Sequence, residues 1–292
     1  MYRSKNDEKA PQPTISPMPK QYIKKLDQIQ ANFSLCFNRL VTWEVNETAV
    51  KKEKNTIPKL EKIAQEHIQQ SKYISSMLKE IQRRQKKFLK EIDNPDTQTI
   101  EIYAETASPF ITGLGSGHPT ETGMILDRNT GVPYLPASSV KGVLRLAHAV
   151  NIANGREEVP SEELNTYFGS MDETKAKQGQ IIFLDAYPVV PPVIKSDIMN
   201  PHFPTYYEGR NRIPLERDKP NPINFLTVAE KTEFCFRCIL FSLKDSPIDS
   251  KDKQIIYKAF ETAFATIGFG GKTSIGYGRF KIKSGDNTSV PR

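Results

Sequence analysis

From Thr56 to Ile92 the apolar residues Leu60, Ile63, Ile68, Ile74, Leu78, Ile81, Phe88, Leu89 and Ile92 recur mainly at steps of three, four and seven. That period belongs to helix. A segment of this length, one long amphipathic helix or a helical pair, must lay its apolar side on something. Its other side is basic. Residues Lys51 to Ile92 carry twelve Lys and Arg against five Asp and Glu, a surplus equal to the +7 of the whole chain, so the remainder is neutral in sum. Charge concentrated in this way favours a polyanionic partner through counterion release. The plainer readings are a solvated helix face or a protein-docking element whose charge is incidental. Asn94, Pro95 and Asp96 end the segment.

The rest of the chain alternates strand and helix signals. Residues 1–20, polar and with four prolines, read as a flexible arm. The run FSLCFNRLVTW (33–43) predicts a strand, and in residues 99–105 Ile100, Ile102 and Ala104 fall on one face of a second. Further strands are expected near 180–187, 224–229, 233–243 and 274–283, with helices over about 138–150 and 251–266. Ser138 or Ser139 caps the first of these helices, on which Lys141 and Arg145 share a face at i, i+4. Across residues 188–222 eight prolines mark a long irregular excursion. This order predicts an α+β domain of ferredoxin-like (RRM-like, βαββαβ) type spanning 21–292, with a helical insertion at about 51–93. Such a sheet lays helices on one face and leaves the other open. In the last strand Ile275, Tyr277, Arg279, Lys281 and Lys283 share a face, and an aromatic among cations on an open sheet suits single-stranded RNA.

A Gly-Lys-Thr at Gly271, Lys272 and Thr273 raises the question of a nucleotide loop. A Walker loop needs a glycine where Thr266 stands, and it must open a helix, whereas a strand is expected after this loop. ATP binding is therefore not its role. Gly270 and Gly271 allow close backbone approach, Lys272 supplies charge, and Thr273 and Ser274 supply hydroxyls, a set that suits the phosphates of another polymer.

No segment approaches the length of apolar chain needed to cross a bilayer, and the N-terminus has no signal-peptide core, so a cytoplasmic protein with no membrane partner is expected. Cys36, Cys235 and Cys238 cannot build a disulfide framework. Cys235 and Cys238 form a lone C-x-x-C inside a strand, where they point to opposite faces, so buried structural cysteines are expected, with neither metal nor cofactor. His118, with Glu121 three residues on, is the best candidate for a general base, although a lone histidine is more often a structural hydrogen-bonding group.

Three stretches, GLGSGHPTETG (113–123), YLPASSVKGVLR (134–145) and GFGGKTSIGYG (268–278), resemble in that order the motifs of the RAMP superfamily of CRISPR proteins. Ala137 stands where that family usually has glycine. The first stretch and the single C-terminal glycine loop are most similar to the sixth-subunit branch of the type III-B Cmr effector complexes. The resemblance implies a non-catalytic subunit that binds guide RNA (crRNA) near its 3′ end, meets target RNA, caps the backbone filament beside a head subunit, and so serves antiviral defence. It also implies that target cleavage belongs to the repeating backbone subunit. Ser138, Ser139, Lys141, Arg145, Gly270, Gly271, Lys272, Thr273, Ser274, Tyr277, Arg279 and His118 are the RNA-binding residues expected on this reading. The alternative is a metal-independent ribonuclease of the same fold that uses His118, since some RAMP relatives cleave RNA in that way.

Overall fold

The structure is a computed structural model that describes residues 14–15, 32–39, 41, 43–46, 49–52, 56–118, 120, 122–153, 161–170, 176–200, 209, 213, 222–244 and 246–283. In chain order the elements are β1 (Thr14–Ile15), α1 (Phe33–Arg39), β2 (Trp43–Asn46), β3 (Ala49–Lys52), α2 (Thr56–Ala64) and α3 (Lys72–Ile92), with a π-helical turn, Gln65–Gln69, after α2. There follow β4 (Thr97–Thr106), α4 (Ala137–Ala153), α5 (Ser161–Phe168), β5 (Ile181–Phe183), β6 (Tyr187–Pro188), β7 (Ile194–Met199) and β8 (Ile223–Val228). The last elements are β9 (Glu233–Phe241), α6 (Ser250–Thr262) and β10 (Phe280–Ile282). Most of the irregular excursion and most of the N-terminal arm lie outside the described residues.

The central sheet runs β10-β4-β9-β5, every neighbour antiparallel, with β6 also paired to β9. The chain passes from β4 through α4 to β5, and from β9 through α6 to β10. Ile100, Ile102 and Ala104 are buried, as their alternation predicts, and they face the same side as Cys238, Phe236 and Phe234, to which they are registered. Helix α6 covers that side. Phe236 meets Phe264 with ring centroids 4.9 Å apart and Phe280 at 5.4 Å, which seals β10 to the helix layer. Asp249 caps α6 by accepting from the amides of Lys251 and Asp252, while the Asp252 carboxylate accepts from the Asp249 amide.

The second side of the sheet is covered too, which corrects the expectation of an open face. Helix α3 starts at Ser71, whose hydroxyl accepts from the Ile74 amide, and buries Ile74, Leu78 and Leu89. It docks on Arg237, which lies on the face of β9 opposite to Phe236 and Cys238. Arg237 is 1% exposed; it donates to the Glu101 carboxylate at 2.7 Å and to the side-chain oxygens of Gln82 and Gln85 at 2.6 and 2.7 Å. With both faces covered, every residue of β9 from Phe234 to Leu240 is buried. Cys235 and Cys238 are buried on opposite faces, and burial pushes both thiols up, Cys235 to about 12, which removes thiolate chemistry.

Three other expectations are corrected. Residues 33–39 form a helix because Asn32 caps it, its side chain accepting from the Leu35 amide at 2.9 Å, and because Phe33 and Phe37 bury one face at i, i+4. Helix α4 begins at Ala137, so Ser138 and Ser139 lie exposed in its first turn; the orphan amide of Ala137 is satisfied instead by Asp185 at 2.7 Å. The last strand is only three residues long, since Gly276 and Gly278 take φ values of 98° and 68° and curl the chain before it.

Replacing Arg237 by Met takes the buried guanidinium from the Glu101 carboxylate and from the half-buried Gln82 and Gln85 side chains, and urea unfolding should lose about 3–5 kcal/mol. A loss under about 1 kcal/mol would show that α3 docks by apolar contact alone. A second test concerns His148, buried on α4 against the ring of Tyr167 at 5.3 Å, where desolvation lowers its pKa. A depressed folded pKa contributes stability that is present above the unfolded value near 6.5 and lost as pH falls through the folded value. The urea midpoint should therefore drop between pH 7 and pH 5, and His148→Leu should flatten that drop.

Candidate nucleic-acid interface

The loop 268–278 follows the π-helical turn Ala263–Ile267 that extends α6. Its glycines are required first by the chain's own backbone. A Cβ on Gly270 would lie 2.0 Å from the Ile111 carbonyl oxygen, and one on Gly278 would lie 1.9 Å from that of Phe269. Amides of Gly271, Gly278 and Phe269 donate to Ile111, Pro109 and Gly278 respectively, pinning the loop to the segment that leaves β4. The amides of Lys272, Thr273 and Ser274 are not among those that bond inward; they open a short 3-10 turn, Thr273–Ile275.

Lys272 itself is left-handed, with φ 61°, a backbone state unusual for a residue with a side chain. Its ammonium sits over the rings of Phe225 and Tyr277, 4.9 and 5.5 Å from their centroids. Tyr277 in turn donates its hydroxyl proton to Asp197 at 2.5 Å, and burial, followed by that carboxylate, pushes the phenol up to about 12. One face of the Tyr277 ring is thus occupied by a cation from its own loop. Arg279 clasps the same loop: its amide donates to the Ser108 hydroxyl at 2.9 Å and its guanidinium to the Thr273 carbonyl at 3.2 Å. Ser274 is exposed at the apex, and the neighbouring Ile275 is 66% exposed.

The remaining expected residues lie elsewhere. Ser138, Ser139 and Lys141 are exposed on the first turn of α4. Arg145 points back into the protein, donating to the Gly169 carbonyl at 2.8 Å and to Asn165 at 3.1 Å, so it braces the end of α5. His118 stacks on Phe37 with centroids 4.0 Å apart. The Thr120 amide donates to its Nδ1, which makes Nε2 the protonated nitrogen, and that proton goes to the Phe37 carbonyl at 2.9 Å. Both ring nitrogens are therefore engaged within the fold.

Several residues of this surface carried no signal in the sequence. Asp197 lies within the proline-rich stretch 188–222, on β7, a strand where an irregular segment was expected, and only the antiparallel pairing of β7 with β8 brings it and Phe225 to the loop. Ser196, beside Asp197, donates to Glu61 on α2, so the same hairpin ties the glycine loop to the helical pair. A groove of about 930 Å³, lined by Asn38, Arg39, Gly117, His118 and Arg128 among others, opens between α1 and the first glycine stretch. Asn32 as a helix cap, with Phe33 and Phe37 one turn apart, was the available clue to α1.

Comparison with known proteins places this geometry in a family. The chain is similar to "CRISPR system Cmr subunit Cmr6" of Pyrococcus furiosus, 30% identical over 236 residues that cover 60% of this chain and 65% of that protein. It is also similar to "CRISPR system CMR subunit Cmr6" of Saccharolobus solfataricus, 29% identical over 167 residues covering 56% and 49%. The chain thus spans less than two thirds of the length of these two relatives. A chain in a cryo-EM structure of the Type III-B Cmr-beta bound to cognate target RNA shares the fold, with TM-score 0.54 and 21% identity over 82% of this chain and 77% of that one. The sequence profile of the RAMP superfamily matches residues 103–281, which take in both glycine stretches, helix α4, strands β5 and β9, the end of β4 and the start of β10, and the chain belongs to that superfamily.

Proposed function

We propose that this protein is a non-catalytic guide-RNA-binding subunit of a type III-B CRISPR RNA-targeting effector complex, seated near the 3′ end of the crRNA and capping the backbone filament. Its partners on this reading are the crRNA, the target RNA, the backbone RAMP subunits and the neighbouring head subunit. The observation that carries the reading is the family match over 103–281, together with the likeness to two Cmr6 proteins. The strand order β10-β4-β9-β5, with its two β-α-β passages, supports a ferredoxin-like domain over 21–292 into which α2 and α3 are inserted.

The loop chemistry fits that role. Lys272 and the hydroxyls of Thr273 and Ser274 offer an anion site that reads no base identity, as a subunit holding any guide requires. Lys141, with Ser138 and Ser139, adds charge and donors at the start of α4, where the helix dipole already favours anions. Arg145, Arg279, Gly270 and Gly271 act by holding that surface in shape. Tyr277 serves through the cradle it forms with Phe225 around Lys272. His118 joins the first glycine stretch to α1, a structural part that supports the non-catalytic reading over the ribonuclease.

Two outcomes test this. Lys272→Ala combined with Lys141→Ala should weaken binding to labelled single-stranded RNA alike for all sequences, and should flatten the dependence of log K on log salt by about 0.7 for each phosphate that is no longer neutralised. A loss confined to certain sequences would contradict it. RNA incubated with the pure protein in EDTA should stay intact. Cleavage that disappears in His118→Ala would make the protein a ribonuclease instead.

A further inference from the structure

The concentrated charge of the helical pair has a definite geometry. Lys72, Lys79, Arg83, Lys86, Lys87 and Lys90 recur along α3 at steps of seven, four, three, one and three, which keeps them within about a third of the helix circumference. All six are exposed, and they lie opposite Ile74, Leu78, Gln82, Gln85 and Leu89, the residues through which α3 meets the sheet. From Lys72 to Lys90 the stripe runs about 27 Å at a rise of ~1.5 Å per residue. Arg237, through Gln82 and Gln85, and the buried Ile74, Leu78 and Leu89 hold the helix against the sheet at several points along its length.

Little acid opposes it. Arg83 and Arg84 share one carboxylate, Glu80; Lys87 reaches Glu91 at 3.5 Å; and Lys86 reaches Glu101 at 3.7 Å, the same carboxylate that holds Arg237. Lys72, Lys79 and Lys90 have no ion-pair partner among the described residues. Exposed pairs of this kind are worth little, so they yield readily to a phosphate. The stripe holds no apolar residue, and lysine is depleted in protein–protein interfaces, whose energy comes from buried aromatic and apolar anchors. An apolar ring borders it at its N-terminal end, where Tyr73 is 67% exposed.

We infer that the outer face of α3 is a second RNA-backbone track, separate from the glycine loop, which binds a phosphodiester strand along its length without regard to sequence. The charge geometry of α3 carries it, and it rests on the RNA-binding reading only for the choice of RNA as the polyanion. The track lies across the sheet from α6 and extends the binding surface by the length of several nucleotides. Tyr73 offers a base-stacking surface at its N-terminal end.

The test uses the full chain and a fluorescently labelled, unstructured 30-nucleotide RNA. Reversing Lys79, Arg83, Lys87 and Lys90 to Glu should lower affinity more than ten-fold near physiological salt, and should reduce the salt slope by about 3, at roughly 0.7 for each phosphate that is no longer neutralised. The melting curve should hold, because all four side chains are exposed. The four corresponding Gln substitutions, which keep helix propensity, should change affinity in the same direction by a smaller factor. Unchanged RNA affinity in both sets would overturn the inference. So would intact RNA binding together with failure to join partner subunits, which would make α3 a protein-docking face. Weaker binding by the α3 variants with no effect of Lys272→Ala would keep this inference while refuting the loop as an RNA site.

Discussion

A single buried guanidinium organises this molecule. Arg237 stands in the middle of a strand whose other residues are almost all apolar, and it makes a charged contact to Glu101 on the next strand and two amide contacts to α3. A buried ion pair of this kind adds little net stability compared with apolar packing, but removing one partner is costly, so it fixes one arrangement against others. What it fixes is the seating of α3 on the face of the sheet that a bare domain of this class would leave open. Everything exposed on α3 is thereby oriented, and the cations of the helix are turned away from the core.

The glycine loop is organised by a different constraint. Its glycines are needed because carbonyl oxygens of Ile111 and Phe269 occupy the space a side chain would take, so the loop is a tight clasp between the end of α6 and the segment leaving β4. Within that clasp Lys272 takes a left-handed backbone at the start of a short 3-10 turn. Phe225 and Tyr277 then steady the ammonium, and Asp197 steadies Tyr277. The β7–β8 hairpin, through the adjacent residues Ser196 and Asp197, links this clasp to α2 and so to the helical pair. The two surfaces proposed to meet RNA are thus parts of one connected framework.

Much of this was legible in the sequence, for identifiable reasons. The strand around Ile100, Ile102 and Ala104 alternates cleanly because one face meets a helix layer and the other meets side chains of mixed polarity. The helical pair was legible because it has one apolar side. Residues 33–39 misled because β-rich composition outweighed the Asn32 cap and the Phe33–Phe37 spacing. The final strand misled because alternation persisted through Gly276 and Gly278, whose positive φ values break it. Arg237 gave no warning at all, since one arginine in an apolar strand looks like an edge or solvent-facing position until α3 is seen above it. In the candidate interface, Lys272 and its hydroxyl neighbours could be read from composition. Their cradle could not, because Asp197 lies inside the proline-rich stretch that reads as irregular, and Phe225 on the strand that follows it.

The most direct test of the account is photocrosslinking of 4-thiouridine-labelled guide RNA to the protein within an assembled complex, followed by mass spectrometry of the crosslinked peptides. The account predicts crosslinks in the glycine-loop peptides over 268–279 and in the α3 peptides over 72–90. Crosslinks confined to other surfaces, with both of these segments unmodified, would contradict it.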